Sequence, residues 1–172
     1  MARLAALVLS LATLASAQVA RAQSLWGPTQ YGMSVAQVRE SVPGVLKSAS
    51  PSKLGDGALG LLEKPGIALV GHTFTALFYF KGERLSQVTL TLAESSDFSS
   101  ALLVFESLTD ALRAKYGSEV SRKLNRGFLS VADSTWVSGR TNLTLYLMAV
   151  GNSPATLNLN YQVRLAQESD KL

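Results

Sequence analysis

The sequence predicts an α+β protein: an antiparallel sheet of about six strands with two helices on one face, in the order α-β-β-β-α-β-β-β. Three observations carry this. His72 to Phe80 and Leu85 to Ala93 alternate residues of opposite character around the turn Lys81-Gly82-Glu83-Arg84, which is the period-two signature of a hairpin. From about Asp97 to Tyr116 the period becomes 3.6, with Phe98, Ala101, Leu102, Phe105, Leu108, Leu112 and Tyr116 on one stripe. Leu157, Leu159, Tyr161, Val163 and Leu165 then alternate with Asn158, Asn160, Gln162 and Arg164, the cleanest strand pattern in the chain.

In chain order, residues 1–22 read as a secretory signal. Arg3 supplies a short positive start, and Leu4 to Leu14 form an apolar stretch too short to span a membrane. Small-x-small sites follow at Ala15-Ser16-Ala17 and Ala20-Arg21-Ala22, and cleavage is expected after Ala22, with Ala17 the alternative. The competing reading, an uncleaved anchor, is disfavoured by that length. Cleavage after Ala22 leaves 150 of the 172 residues, enough for a single α+β domain over residues 23–166 with a polar tail at 167–172. It also leaves 14 basic residues against 12 acidic ones, an excess too mild to suggest nucleic acid as a partner. The chain has no cysteine, which removes disulfides, thiol catalysis and cysteine metal sites together. No second segment reaches a membrane-spanning length. The expected location is periplasmic or extracellular.

Ser34 is suited to cap a short helix, with Gln37 as its capping-box partner and Pro43-Gly44 as the stop. The stretch Tyr31-Gly32-Met33-Ser34-Val35-Ala36-Gln37-Val38 resembles the Gly-Met-Thr/Ser-x-x-Gln-Val opening of two kinds of small exported module. These are the SmpA/OmlA-type outer-membrane assembly lipoproteins and the β-lactamase-inhibitor proteins. The resemblance covers roughly residues 31–44. It implies a helix packed on an antiparallel sheet and a role in binding other proteins rather than catalysis. The lipoprotein cysteine and the inhibitor disulfides have no counterpart here, so neither anchoring nor inhibition carries over residue by residue.

Lys47 to Gly57, rich in Ser, Gly and Pro, reads as an exposed loop. A strand is expected at Ala58–Glu63, broken at Lys64-Pro65-Gly66, before Ile67–Val70 leads into the hairpin. Within the hairpin, Phe74, Ala76, Phe78 and Phe80 share a face. Val88, Leu90 and Leu92 repeat the pattern, and the phase slip between Leu85 and Val88 predicts a bulge near Ser86. The long helix is expected to take Ser95 or Ser96 as its N-cap and to end at Gly117, with Phe105 pressed against Phe78 or Val88. Three strands should follow, at about Leu129–Val137, Asn142–Val150 and Thr156–Leu165. The two α-β-β-β halves share no visible sequence similarity.

Chemistry is sparse. His72 is the only histidine, with no nucleophile or orienting carboxylate near it in sequence, so a structural role is expected rather than that of a general base. The carboxylates are scattered singly, with no metal-ligand spacing, and no glycine-rich phosphate loop is present. Neither a metal nor a cofactor is therefore expected. Asp133 shares a strand face with Val131 and Thr135, either as a bonded buried carboxylate or as the mark of an edge strand. Asn142-Leu143-Thr144 fits the glycosylation pattern but falls in an expected strand.

Two features are candidates for partner binding. Arg113, Lys115, Arg122, Lys123 and Arg126 cluster against a single acid, Glu119, either as a solvated loop beside the helix C-terminus or as a docking patch led by Arg122, Lys123 and Arg126. Trp26 and Tyr31 either cover the sheet or anchor a partner. The expectation is an exported, non-enzymatic binding or accessory module whose partner is another exported protein. The alternatives are an inhibitor of an exported hydrolase, using the loop at 47–57, and a carrier of a small apolar ligand.

Overall fold

Strand-forming and helix-forming periodicities alternate along the chain to give α1 (Val35–Ser41), β1 (Leu46–Lys47), β2 (Leu59–Leu69), β3 (His72–Lys81), β4 (Arg84–Leu92), α2 (Phe98–Tyr116), β5 (Ser121–Asn125), β6 (Leu129–Ser138), β7 (Thr141–Val150) and β8 (Thr156–Val163). The computed structural model describes residues 23–164, so the expected signal segment and the polar tail lie outside the described residues. All eight strands join one antiparallel sheet in the order β1-β2-β3-β4-β8-β7-β6-β5. The α+β class and the antiparallel sheet are as expected. The count is eight rather than six, and each half is α-β-β-β-β.

The two additional strands are the two sheet edges, and each escaped the sequence for a physical reason. β1 is two residues long. β5, Ser-Arg-Lys-Leu-Asn, is exposed at every position and so has no apolar alternation to betray it. The expected loop after Lys47 is also partly paired. Ser48 N–H donates to Leu61 O at 3.0 Å, Gly60 N–H to Ser52 O at 2.8 Å and Leu54 N–H to Ala58 O at 2.9 Å. At Pro65-Gly66 the strand bulges without ending: the register shifts between Lys64 and Ile67, and Gly66 sits at φ 76, where a side chain would be strained. The bulge expected near Ser86 is present, since Tyr79 faces Gln87 while Phe80 faces Leu85.

Mirror-image order gives the seam between the halves. The last strand of each half, β4 and β8, pair with Leu90 opposite Leu159 and Thr89 opposite Asn160. One face is apolar throughout and carries the core: Phe74, Ala76 and Phe78 on β3, Val88 and Leu90 on β4, Leu157 and Leu159 on β8, Leu143, Leu145 and Leu147 on β7. Both helices belong to that core. α1 buries Val38, and its N-terminus carries the expected capping box, Ser34 Oγ accepting from Gln37 N–H and Gln37 Oε1 from Ser34 N–H.

The cap of α2 is Asp97, not Ser95 or Ser96. Its Oδ1 accepts from Ser99 N–H at 2.8 Å and Ser100 N–H at 3.0 Å, joining a hydrogen bond to a charge that suits the helix dipole. The helix buries Ala101, Leu102, Val104, Phe105, Leu108 and Leu112, but it lies across β6, β7 and β8 rather than on the hairpin. Phe105 therefore covers the second half of the sheet, contrary to expectation. Phe78 of the hairpin is met instead by Trp26, whose ring centroid lies 6.1 Å away. Trp136 ties the end of α2 to the sheet by donating Nε1–H to Gly117 O at 3.0 Å.

Candidate functional site

With the helices confined to one side, the opposite face of the sheet is built from the other half of every strand's alternation. Strand pairing fixes its layout as rows running across the seam. One row is Thr75, Thr91, Asn158, Tyr146, Asp133 and Lys123, taken from β3, β4, β8, β7, β6 and β5. The next is Leu77, Thr89, Asn160, Thr144, Thr135 and Ser121. A third runs Tyr79, Gln87, Gln162 and Asn142. Hydroxyls and carboxamides dominate where a merely solvated face would carry long charged chains.

Hydrogen bonds hold the middle of this face in place. Thr89 Oγ1 donates to Asn160 Oδ1 at 2.8 Å and accepts from Gln87 Nε2 at 2.8 Å. Gln162 Nε2 donates to Gln87 Oε1, so four side chains from the two halves form one network. Beside it, Asn158 Oδ1 is buried and accepts no hydrogen bond from any described residue. A buried acceptor without a donor is costly.

At one end the face runs into a cleft of about 290 Å³ lined by Tyr31, Asp56, Lys81, Arg84, Gln87 and Gln162. Lys81 Nζ lies 3.6 Å from Asp56 Oδ2, and Arg84 Nη1 donates to Gly32 O at 3.2 Å. The Ala58 N–H and the Lys81 ammonium hold the Asp56 carboxyl below its ordinary range. Tyr31 is 41% exposed at the rim.

The sequence-predicted partner residues are dispersed. Arg122 lies on the helix side of β5, its Nη2 donating to both carboxylate oxygens of Glu106 at 2.6 and 2.7 Å, with its guanidinium 5.8 Å from the centre of the Phe105 ring. Lys123, its neighbour, faces the opposite side and sits at the end of the first row, while Arg126 is exposed in the β5–β6 turn. Arg113 is held by Glu119 at 2.5 Å and Asp110 at 3.2 Å. Trp26 packs over the core on the helix side. Of the five residues singled out, only Tyr31 and Lys123 border the open face. Asp133 is half-buried on that face, one strand in from the edge, and Asn142 lies within β7.

Folding brings His72 a carboxylate that sequence separation concealed. His72 Nδ1 lies 2.7 Å from Glu94 Oε2, and Glu94 Oε1 accepts from Thr73 N–H at 3.1 Å. The His72 contact and then that N–H lower the Glu94 carboxyl. No hydroxyl completes a triad with this pair among the described residues, and no group of three metal-ligating side chains forms among them either. The residues that sequence reasoning passed over are Thr89, Thr91, Asn158, Asn160 and Tyr146. For the first four the signal was visible as short polar residues on the outward phase of β4 and β8, whereas Tyr146 lies on β7. Comparison of the chain with protein-family models, with curated proteins and with solved structures found no match.

Proposed function

We propose that this chain is an exported, non-enzymatic binding module that recognises another exported protein through the open face of its sheet. The observation that carries the reading is the hydrogen-bonded polar network across the β4–β8 seam, flanked on the same face by the more accessible Thr91 and Tyr146. A surface already ordered by its own hydrogen bonds loses little further side-chain freedom on binding, which favours affinity. The resemblance of residues 31–44 to exported binding modules points the same way.

Neither alternative has comparable support. An inhibitor working through residues 47–57 would need that segment to project, yet it is hydrogen-bonded back to β2. A carrier would need an enclosed apolar chamber, whereas the cleft beside Tyr31 is polar and open.

The test is cross-linked capture from the native compartment with wild type, Thr91→Lys, Tyr146→Ala and, as a control on α2, Ser107→Lys. Capture should fall for the two sheet variants alone, at thermal midpoints close to wild type. Equal capture by all four would sink the open face as the binding surface. N-terminal sequencing of the exported material should read from Gln23, and retention of Met1 would overturn export by a cleaved signal.

A further inference from the structure

The two edges of the sheet are not alike. β1 has two residues, and the chain that follows stays bonded to β2. β5 has five, all exposed, and among the described residues no backbone group other than those of β6 bonds to Ser121–Asn125. Alternate residues of an antiparallel edge strand turn N–H and C=O outward, ready to pair with a further strand. Such an edge accepts whatever extended segment its side chains permit.

Those side chains differ on the two sides of β5. On the open-face side stands Lys123, and Arg126 follows β5 in the exposed turn; neither makes an ion pair among the described residues, although Asp133 neighbours Lys123 on β6. On the helix side stand Val120 and Leu124, 66% and 49% exposed, with Arg122 between them neutralised by Glu106. Two ion pairs set the alignment of β5 with α2. Arg113 to Glu106 on the helix and Glu119 to Arg122 on the chain opposite both span about 10 Å. Two residues further on, that alignment brings Leu124 level with the turn holding Leu103, which is 71% exposed. The edge therefore offers two cations without an ion pair among the described residues, Lys123 and Arg126, and an apolar helix side.

We propose that β5 receives an extended acidic segment of a partner protein, which adds to the sheet as a ninth strand. An acidic residue on one phase of that segment would face Lys123, a further acid at its end would reach Arg126 in the turn, and apolar residues on the other phase would cover Leu124, Val120 and Leu103. A second copy of this chain is a poor occupant. Antiparallel pairing centred on Lys123 would set that lysine against its own copy, a device by which edge strands resist self-pairing. This edge shares Ser121 and Lys123 with the rows of the open face and is tested by its own peptide probe.

The probe is a capped synthetic peptide of alternating Glu and Val, titrated into the exported chain up to about 1 mM, with a Lys–Val peptide for comparison. Hydrogen exchange should show protection gained at residues 119–127. Lys123→Glu together with Arg126→Glu should weaken the Glu–Val peptide by roughly tenfold or more and improve the Lys–Val peptide. N-methylation of alternate peptide amides along the pairing edge should abolish binding. Lys123→Gln, a milder change, should give an intermediate loss at an unchanged thermal midpoint. The proposal is overturned by no binding at the highest concentration, by binding without protection at β5, by equal binding of the N-methylated peptide, or by protection of β5 in a peptide-free dimer.

Discussion

Thr89 and Asn160 face each other across the seam where the two halves meet, with Thr89 Oγ1 donating to Asn160 Oδ1 at 2.8 Å. The pair sits on the open face, directly behind the apolar pair Leu90 and Leu159. The same two strands thus close the core on one side and order the candidate site on the other.

Removing that hydroxyl tests the link. Thr89→Val removes two hydrogen bonds and leaves Gln87 Nε2 and Asn160 Oδ1 only their longer 3.3 Å contact with each other, so stability should fall by about 1–3 kcal/mol. Asn160→Leu alone should cost a similar amount. Because the residues share one network, the double variant should lose less than the sum of the two, as read from urea midpoints.

Phe105 lies fully within the core beneath α2. Phe105→Ala should cost roughly 3–5 kcal/mol, a large share of the stability of a domain this size. The same change frees Arg122, whose guanidinium lies over the ring. A denaturant midpoint close to wild type would show that α2 does not pin β6, β7 and β8.

Gly60 has an unusual task on β2. Its missing side chain lets Tyr79 lie across the strand and bring its hydroxyl within 2.9 Å of Ser52 Oγ. A Cβ there would stand 3.1 Å from Ser52 Oγ and 3.2 Å from the Tyr79 ring. Gly60→Ala should therefore cost about 1–3 kcal/mol through overpacking. Ser52→Ala removes the hydrogen bond alone and should cost less, about 1 kcal/mol. The reverse order, measured by thermal unfolding, would mean that the contact is not tight.

Acid should loosen the β5 side of the molecule. The Arg113 guanidinium, followed by a backbone N–H, holds the Glu119 carboxyl down at about 2. In the unfolded chain that carboxyl titrates near its ordinary value of about 4.3. Its contribution is then complete above that ordinary value and is lost as pH falls toward 2. Glu94, Asp56 and Asp97 are lowered as well and lose theirs in the same direction. Glu119→Gln should unfold earlier than wild type at neutral pH, and the gap in thermal midpoint should close as both are acidified. A gap that stays constant down to the lowest pH would refute the Arg113–Glu119 pairing.

The sequence by itself determined the elements whose periodicity is local. Alternation drew the β3–β4 hairpin and β8, the 3.6-residue stripe drew α2, and Ser34 with Gln37 marked the start of α1. It also determined the outward phase of β4 and β8, and hence the polar character of the candidate site. Tertiary structure decided everything that depends on which strands meet. β5 is a strand because β6 lies beside it, since Ser121–Asn125 holds a single apolar residue, Leu124, and no alternation. α2 lies over β6, β7 and β8, while Trp26 occupies the space over Phe78. Thr75, Thr91, Asn158, Tyr146, Asp133 and Lys123 come from six strands between residues 75 and 158, and only non-local register places them in one row. Hydrophobic pattern is written residue by residue, whereas register is a property of pairs, and the candidate surface of this protein is made of register.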